Sequence, residues 1–477
     1  MRHVLHSGWS NVVITLAHEP TVCVGLMSGV QELAFALDSE FATPDGTRFP
    51  AGDYHAAVAL DRIAVSDHTG HRCAEAHELS MQPRTPVTAT FTIRGVTIGL
   101  DFHWQRQEDQ QFHGTLRLKR NTQGRLIVLN EIAVETYLTS VIASEMSATS
   151  PPALLKAHAI ISRSWLLAQL PLWKGARVKA SAQPYEVGGE RHLIRWYDQE
   201  SHTEFDVCAD DHCQRYQGIA KATAPAVFEA IHATTGQVLV YDEALCDARF
   251  SKSCGGMTEA YAAAWEDRQV PYLTARYDGG TFPAGFSLPL TNEDNATQWI
   301  LGAPEAFCNT TDHTFLARVL PSFDQETVDF YRWRVTLAQA QAQELLCTKL
   351  GLDVGPIHRL EPVARGASGR LVRLRIVGER EACVIGKELE IRRALSSSHL
   401  YSAAFVVQPE PHHARVPEHF TLIGAGWGHG VGLCQIGAAL MAARGHAHEH
   451  ILAHYYTGAT LHTLYPRTPW GDQTHLE

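Results

Sequence analysis

Four segments of the 477-residue chain carry side chains able to do chemistry. The first runs from Tyr137 to Met146 and resumes at Leu155–Arg163, with Glu145, Lys156, His158 and Arg163. A carboxylic acid such as Glu145 can give a proton to a leaving oxygen, although by position alone it reads as a surface residue at a helix end. The second is Cys208–Gly218, CADDHCQRYQG, with His202 shortly before it. His202, Cys208, His212 and Cys213 are ligand types that zinc takes. Their spacing is not a Cys-x-x-Cys pair, and adjacent ligands need an irregular loop, so a reduced loop and a Cys208–Cys213 disulfide stand as alternatives. The third, Ser253-Cys254-Gly255-Gly256, reads as a tight turn. A nucleophilic Cys254 would need an oxyanion site and a base, for which His429 is the candidate. The fourth is Gly426-Trp427-Gly428-His429-Gly430-Val431-Gly432, followed by Cys434, Gln435 and Gly437. It fails the dinucleotide fingerprint in every register, because the third position falls on His429, Val431, Leu433 or Gln435. Trp265, Tyr272 and Trp427 offer faces that stack on sugar rings, a use that competes with an ordinary place in the core.

The elements that must position these residues change period along the chain. Val22–Met27, Glu32–Leu37, Thr88–Leu100, Thr115–Lys119 and Arg125–Leu129 are short, rich in apolar or β-branched residues, and split by turn residues, which predicts strands. Val134, Tyr137, Leu138, Val141 and Ile142 then recur at helical spacing, so a short helix ends near Ser144. Ser150 is the expected N-cap of a second helix with Pro151 at its first position, running to about Leu170. Residues 171–220 look loop-rich. A helix near Ala224–Ala233 and strands Gln237–Tyr241 and Ala244–Ser251 lead to the Cys254 turn. Further on, a helix is expected around Gln339–Leu350 and strands at Leu371–Val377 and Ala403–Val407. The chain ends in a strand, the glycine-rich loop, and helices Gln435–Arg444 and His448–Tyr456, with Gly445 and Gly458 as C-caps.

Composition narrows the classes. Hydrophobic residues make up 45% and charged residues 19%, as in a soluble globular chain, which excludes disordered, collagen-like and coiled-coil proteins. The net charge is -11, so there is no general basic face for nucleic acid. Ten cysteines in this length are too sparse for a disulfide scaffold. Thr421–Ala443 lacks Asp, Glu, Lys and Arg, yet its glycines, His429 and Gln435 suit a loop and helix better than a membrane span. Met1–Pro20 shows no apolar run of a signal peptide.

In order, spacing and final motif the four segments resemble the family of stage II sporulation protein D and the LytB amidase enhancer. The GWGHGVG-x-x-Q-x-GA segment is the most specific piece, and the likeness covers roughly residues 120–277 and 330–465. The resemblance implies an α+β fold: a β-rich N-terminal region (1–120), a helical catalytic core with a substrate groove (121–280, completed by 416–477), and an inserted α/β lobe (281–415). It implies a lytic transglycosylase that cuts peptidoglycan glycan strands between N-acetylmuramic acid and N-acetylglucosamine. Glu145, in Ala143-Ser144-Glu145-Met146, matches the family's acid/base. One carboxylate suffices, because the muramyl 6-hydroxyl attacks its own C1 and leaves a 1,6-anhydro end, whereas an ordinary hydrolase needs a second.

The resemblance also implies a zinc ion at His202, Cys208, His212 and Cys213. The last two sit one residue closer than in a zinc-binding member of the family. Expected substrate contacts are Arg163, Lys156, Cys254, Gly255, Trp427, His429 and Gln435. Arg163 either orients Glu145 or holds the lactyl carboxylate, with a solvated face as the plain alternative for it and Lys156. His429 is expected to touch substrate or position Glu145, and Gln435 to suit an N-acetyl group. His158, where relatives often have Gln, reads as a buried hydrogen-bonded histidine. Cys434 departs from the small polar residue usual there. The other branch of the family supplies the rival reading, a non-catalytic enhancer whose partner is a cell-wall amidase; a zinc hydrolase is a second rival. The substrate implies the cell envelope, while the visible start carries no export signal, so a cytoplasmic site stays open.

Overall fold

In a computed structural model the described residues are 15–86, 88–99, 105–173, 184–197, 202–210, 212–219, 224–321, 324–325, 327–412 and 414–467. Most of the Met1–Pro20 segment lies outside them. The fold is α+β, as expected, and the chain divides into two compact units.

The first unit comprises residues 1–175, 201–247 and 461–477. A seven-stranded sheet has the order Val207–Cys208, Thr21–Val30, Leu126–Ala133, Thr115–Arg120, Glu78–Pro83, Phe41–Ala42, Arg48–Phe49. A six-stranded sheet runs Arg106–Phe112, Phe91–Ile98, Glu32–Leu37, Gly52–Ala59, Arg62–Asp67, Arg72–Ala76. Both are antiparallel except where Val207–Cys208 joins Thr21–Val30 in parallel. Glu32–Leu37 shows why these residues make strands: Leu33, Phe35 and Leu37 alternate inward, each nearly fully buried, with more polar or smaller residues between. Aromatic rings join the two sheets, Phe41 to Phe91 at 6.4 Å and Phe49 to Tyr54 at 5.7 Å between centroids.

Helix α1 (Val134–Glu145) follows directly on the strand Leu126–Ala133. Ala133 at its N-cap has no side chain to offer, and the carboxylate of Glu19 takes over, accepting the Glu135 N–H at 2.6 Å. Helix α2 (Pro152–Gln169) starts one residue later than expected. Pro151 is the N-cap and no side chain caps it; proline at the first helical position has no N–H to satisfy. Almost every side chain from Leu154 to Gln169 is buried, so this is a central helix. Helix α3 (Pro225–Ala233) packs nearby, and strands Gln237–Tyr241 and Ala244–Leu245 complete the unit with Thr460–Thr463 beside them. The continuous strand expected over Ala244–Ser251 is broken, as Leu245 and Phe250 belong to separate short strands and Asp247 and Ala248 to different units. Among the described residues no helix is long and apolar enough to cross a membrane.

The second unit comprises 176–200 and 248–460. Its five-stranded sheet has the order Tyr185–Val187, Glu190–Ile194, Ala382–Gly386, Leu371–Gly378, Ile357–Arg365. Glu190–Ile194 lies parallel to Ala382–Gly386. A three-stranded sheet places His419–Ala425 between Arg332–Ala338 and Phe405–Glu410. Leu193, Trp333, Leu346, Ile376, Ile391 and Phe420 share one core that covers both sheets and the helix Gln339–Leu350. Two short strands, Phe250–Ser251 and Leu433–Cys434, pair in parallel and bring the Cys254 turn beside the glycine-rich loop.

Candidate functional site

Glu145 is the last residue of α1 and is about nine-tenths buried. Its Oε1 accepts the backbone N–H of Arg215 at 3.2 Å. That N–H comes from the loop containing His202, Cys208, His212 and Cys213. The loop therefore both gathers four ligand-type side chains and steadies the carboxylate.

Three features shape the loop. Val207 and Cys208 are held as an edge strand against Val24 and Gly25, and Asp206 caps it by accepting the Cys23 N–H at 2.9 Å. The loop closes on itself where the Tyr216 N–H donates to Ala209 O at 2.9 Å. It is then tied to the helices: Gln214 Nε2 donates to Ser162 O on α2, and Ser140 Oγ on α1 donates to Gly218 O at 2.7 Å. Tyr216 is buried, stacks on Tyr137 of α1 at 4.8 Å, and donates to Asn130 Oδ1 at 2.6 Å. Gly218 sits at φ +72°, and a Cβ there would lie 2.3 Å from Gln111 O, so only glycine fits.

The four ligand atoms lie within 4.8 Å of one another. His202 Nε2 and His212 Nδ1 are 3.2 Å apart, and Cys213 Sγ is 3.4 Å and 3.6 Å from these two nitrogens. A tetrahedral zinc with bonds of about 2.0–2.1 Å to nitrogen and 2.3 Å to sulfur would space its ligands about 3.4–3.8 Å apart. The donors thus form a group able to hold a metal ion. Cys208 and Cys213 are free thiols, so the disulfide alternative does not apply. The Cys208 thiol is drawn down to about 2, chiefly by its hydrogen bond with Cys213, against burial, with His202 and His212 adding to the lowering.

The remaining candidates in this unit have other surroundings. Arg163 is fully buried and faces the interior instead of a ligand. Its Nε donates to Glu135 Oε1 at 2.9 Å, its Nη2 to Glu135 Oε2, and its Nη1 to Gln237 O at 2.9 Å. Glu135 also accepts from Tyr465 Oη at 2.6 Å and from the Gly236 N–H at 3.1 Å. The expected contact of Arg163 with Glu145 or a lactyl carboxylate does not fit a guanidinium already spent on Glu135. Lys156 lines a cleft of about 320 Å³ between α2 and α3, with Pro152, Glu229 and His232. His158 is buried, with Nδ1 3.1 Å from Ser162 Oγ, as expected of a structural histidine.

Cys254, Gly255, Trp427, His429 and Gln435 belong to the second unit. Arg370, fully buried, fastens the two motifs there. It donates to Cys254 O at 3.1 Å, to Ser253 O at 3.5 Å and to Gly428 O at 3.2 Å. Gly430 (φ +76°) makes room for it, since a Cβ would lie 2.4 Å from the guanidinium carbon. His429 Nδ1 accepts the Val431 N–H at 3.0 Å. Burial first, then Arg249, Arg370 and Arg392, push its pKa well below the usual range, so the ring is neutral and holds loop backbone. Trp427 stacks on Tyr401 at 4.2 Å and tilts against Phe330 at 4.8 Å. Gln435 is buried at the start of its helix. Cys254 does not suit nucleophilic chemistry. Burial drives its thiol well up, and the sulfur faces Asp278 and Cys308 instead of a histidine.

Sequence reasoning missed Arg215, Arg370, Asp278 and Cys308. Arg215 acts through its backbone, which leaves no mark in residue type. The other three are distant in sequence from the motifs they serve.

Fold and site define an α+β protein in which a four-ligand Cys/His loop supports a helix-terminal glutamate. The sequence model of the family described as stage II sporulation protein matches residues 122–241, the stretch that holds α1, α2, α3 and that loop. That match, together with curated relatives named stage II sporulation protein D and amidase enhancer, supports a likeness to that family. A domain of unknown function, DUF8618, matches residues 259–432. The amidase enhancer of Bacillus subtilis (strain 168) is 25% identical over 237 residues, 49% of this chain and 32% of that protein. Stage II sporulation protein D of Bacillus amyloliquefaciens is 22% identical over 333 residues, 70% of this chain and 75% of that protein, and its Bacillus subtilis counterpart is equally similar. This chain therefore spans about a third of the amidase enhancer and three quarters of the sporulation proteins.

Proposed function

We propose that this protein is a peptidoglycan lytic transglycosylase with Glu145 as its one acid/base. The observation that carries the reading is the Arg215 N–H on Glu145 Oε1, delivered by the loop of metal-ligand residues. With Oε1 held, Oε2 carries the proton. Protonated Glu145 gives it to the glycosidic oxygen as the C1–O bond of the muramyl residue breaks. The muramyl C6 hydroxyl closes on C1, and its proton returns to the Glu145 carboxylate. No water is consumed, and the acid is restored. The His202, Cys208, His212 and Cys213 set fits zinc in ligand type and spacing. With four protein ligands, an ion held there would be structural, and its part would be to fix the loop.

The expected place of action is the cell envelope, where that substrate lies. The test is mass spectrometry of stem-peptide-free glycan strands after incubation with wild type and Glu145→Gln. Anhydro-ended fragments from wild type alone support the reading. Hydrated reducing ends would mean a hydrolase. The similarity to a protein named amidase enhancer favours a second reading, a non-catalytic partner of a cell-wall amidase. Absence of cleavage, with stimulation of an amidase that Glu145→Gln retains, would establish it in place of the first.

A further inference from the structure

A second group of metal-ligand residues lies wholly within the second unit. Cys254, Asp278, Cys308 and Cys434 are all buried, and one donor atom from each falls within 4.8 Å of all the others. They come from four separate stretches: the Cys254 turn, the residue after Tyr277, the loop after the helix Glu293–Gly302, and the residue that caps the helix Gln435–Ala443. Cys254 Sγ is 3.6 Å from Cys308 Sγ and 3.3 Å from Asp278 Oδ2. A tetrahedral zinc with bonds of about 2.3 Å to sulfur and 2.0–2.2 Å to oxygen sets these edges near 3.8 Å and 3.5 Å.

The surroundings are those of a prepared site. Asp278 Oδ1 accepts from Tyr455 Oη at 2.7 Å and has His454 Nε2 at 3.6 Å, which leaves Oδ2 turned to the sulfurs. Such outer partners orient a ligand and fix which oxygen binds. The Cys254 N–H donates to Cys434 Sγ at 3.2 Å, a bond that suits a thiolate. Three thiolates and a carboxylate around a dication leave two negative charges. Two guanidiniums stand at the same turn, the buried Arg370 on Cys254 O and the half-buried Arg332 on Gly255 O, each at 3.1 Å. Donors this close together enclose one ion and leave no room for bridging sulfides. Thiolate donors exclude magnesium and calcium, and with one carboxylate they suit zinc.

We propose that Cys254, Asp278, Cys308 and Cys434 bind a zinc ion, closed to solvent, that ties the four stretches of the second unit together. Loading releases the thiol protons to solvent and leaves no open position, so the ion is structural. The inference does not depend on the metal of the Cys/His loop or on the reaction proposed for Glu145.

The test is elemental mass spectrometry and cobalt loading of the full chain, purified without chelator, as wild type, Cys308→Ser, and His202→Ala/Cys213→Ser. The expected zinc content is two per chain for wild type if the loop is also loaded, and one if it is not. The loop variant should keep one zinc, and its cobalt form should keep the near-ultraviolet thiolate-to-cobalt absorption. Adding Cys308→Ser to it should abolish both. The loop variant leaves the buried cluster untouched. Should that variant bind neither zinc nor cobalt, the proposal is overturned, whether or not Cys308→Ser folds. A Cys254–Cys308 disulfide in the wild type as purified reduced and without chelator, found by peptide mass, would also overturn it.

Discussion

The buried pair Arg163–Glu135 gives the sharpest test of what α2 contributes. Both side chains are essentially inaccessible, at 0% and 1% exposure, and two hydrogen bonds join them. Replacing Glu135 with Gln keeps an acceptor for Tyr465 Oη and the Gly236 N–H but removes the charge. Arg163 then keeps neutral acceptors, the amide oxygen at position 135 for its Nε, Gln237 O at 2.9 Å and Ala159 O at 3.5 Å, and loses its bonded carboxylate. An uncompensated buried guanidinium costs about 3–5 kcal/mol. At about 2–4 °C per kcal/mol for a unit of this size, the melting temperature should fall by roughly 6–20 °C. Adding Arg163→Met removes the stranded charge and keeps most of the stem's volume. The double variant should therefore cost less than the sum of the singles, by about 2 kcal/mol or more. Urea unfolding of wild type, both singles and the double measures this cycle, and glycan cleavage is assayed on the same proteins. A loss below about 1 kcal/mol for Glu135→Gln would refute the structural assignment. So would a double variant that folds well yet fails to cleave, because Arg163 would then be serving substrate.

Other expectations follow from single contacts. Glu145→Gln should lower cleavage at least about 100-fold while leaving the melting curve unchanged, since the amide oxygen still accepts the Arg215 N–H. Chelation of the metal, or His202→Ala/Cys213→Ser, should lower the melting temperature and cleavage together, and zinc should restore both in the wild type; cleavage that survives complete chelation at full rate would break the link between loop and carboxylate. Gly218→Ala should destabilise by about 1–3 kcal/mol in chemical unfolding, since it combines a positive φ with a Cβ against Gln111 O. His399 is held down to about 3 by burial, then by Arg392, Lys349 and Arg393. Its pKa is lower folded than unfolded, so its contribution is complete above about pH 6.5 and is lost as pH falls toward 3. His399→Phe should flatten that part of the stability–pH curve, and an unchanged slope would show that the histidine is not held neutral.

Much of the fold was legible because its signals are local. Glu32–Leu37 alternates at period two and is the strand expected, and Gln339–Leu350 is the helix expected. Helix ends were less legible: Ser150 looked like the cap of α2, but Pro151 holds that position without a side-chain bond. Strands such as Gly52–Ala59, whose second half is mostly alanine, carry too little apolar contrast to show their period. Residue type marked Glu145 and the four loop ligands. What type cannot show is direction. Arg163 looks the same in sequence whether its guanidinium meets a ligand or Glu135. The second cluster was illegible for a related reason: Cys254 and Cys434 were noticed singly, but nothing local to either points to Asp278 or Cys308.

A carboxylate that must give a proton and take one back has to stay in place between the two events. Nothing in α1 alone does this for Glu145, which stands at the helix's last position, where the Met146 backbone already leaves helical geometry (φ -131°, ψ 151°). The Arg215 N–H supplies the missing constraint, but only if Arg215 is itself fixed from both sides. Towards the C-terminus it is, through Tyr216 in its buried stack on Tyr137 and through Gly218 O on Ser140. Towards the N-terminus the neighbours are Gln214, bonded to Ser162 O, and then Cys213 and His212, which have no regular secondary structure to hold them. One residue of slack in an irregular loop moves the chain by up to about 3.8 Å, more than the length of the hydrogen bond it must preserve. Closing Cys213 and His212 onto Cys208 and His202 removes that slack, because Cys208 is pinned to the sheet through Gly25. In the reading proposed for this protein, the metal-ligand loop thus does for one carboxylate what a paired site asks of two: it fixes where the proton leaves and where it returns.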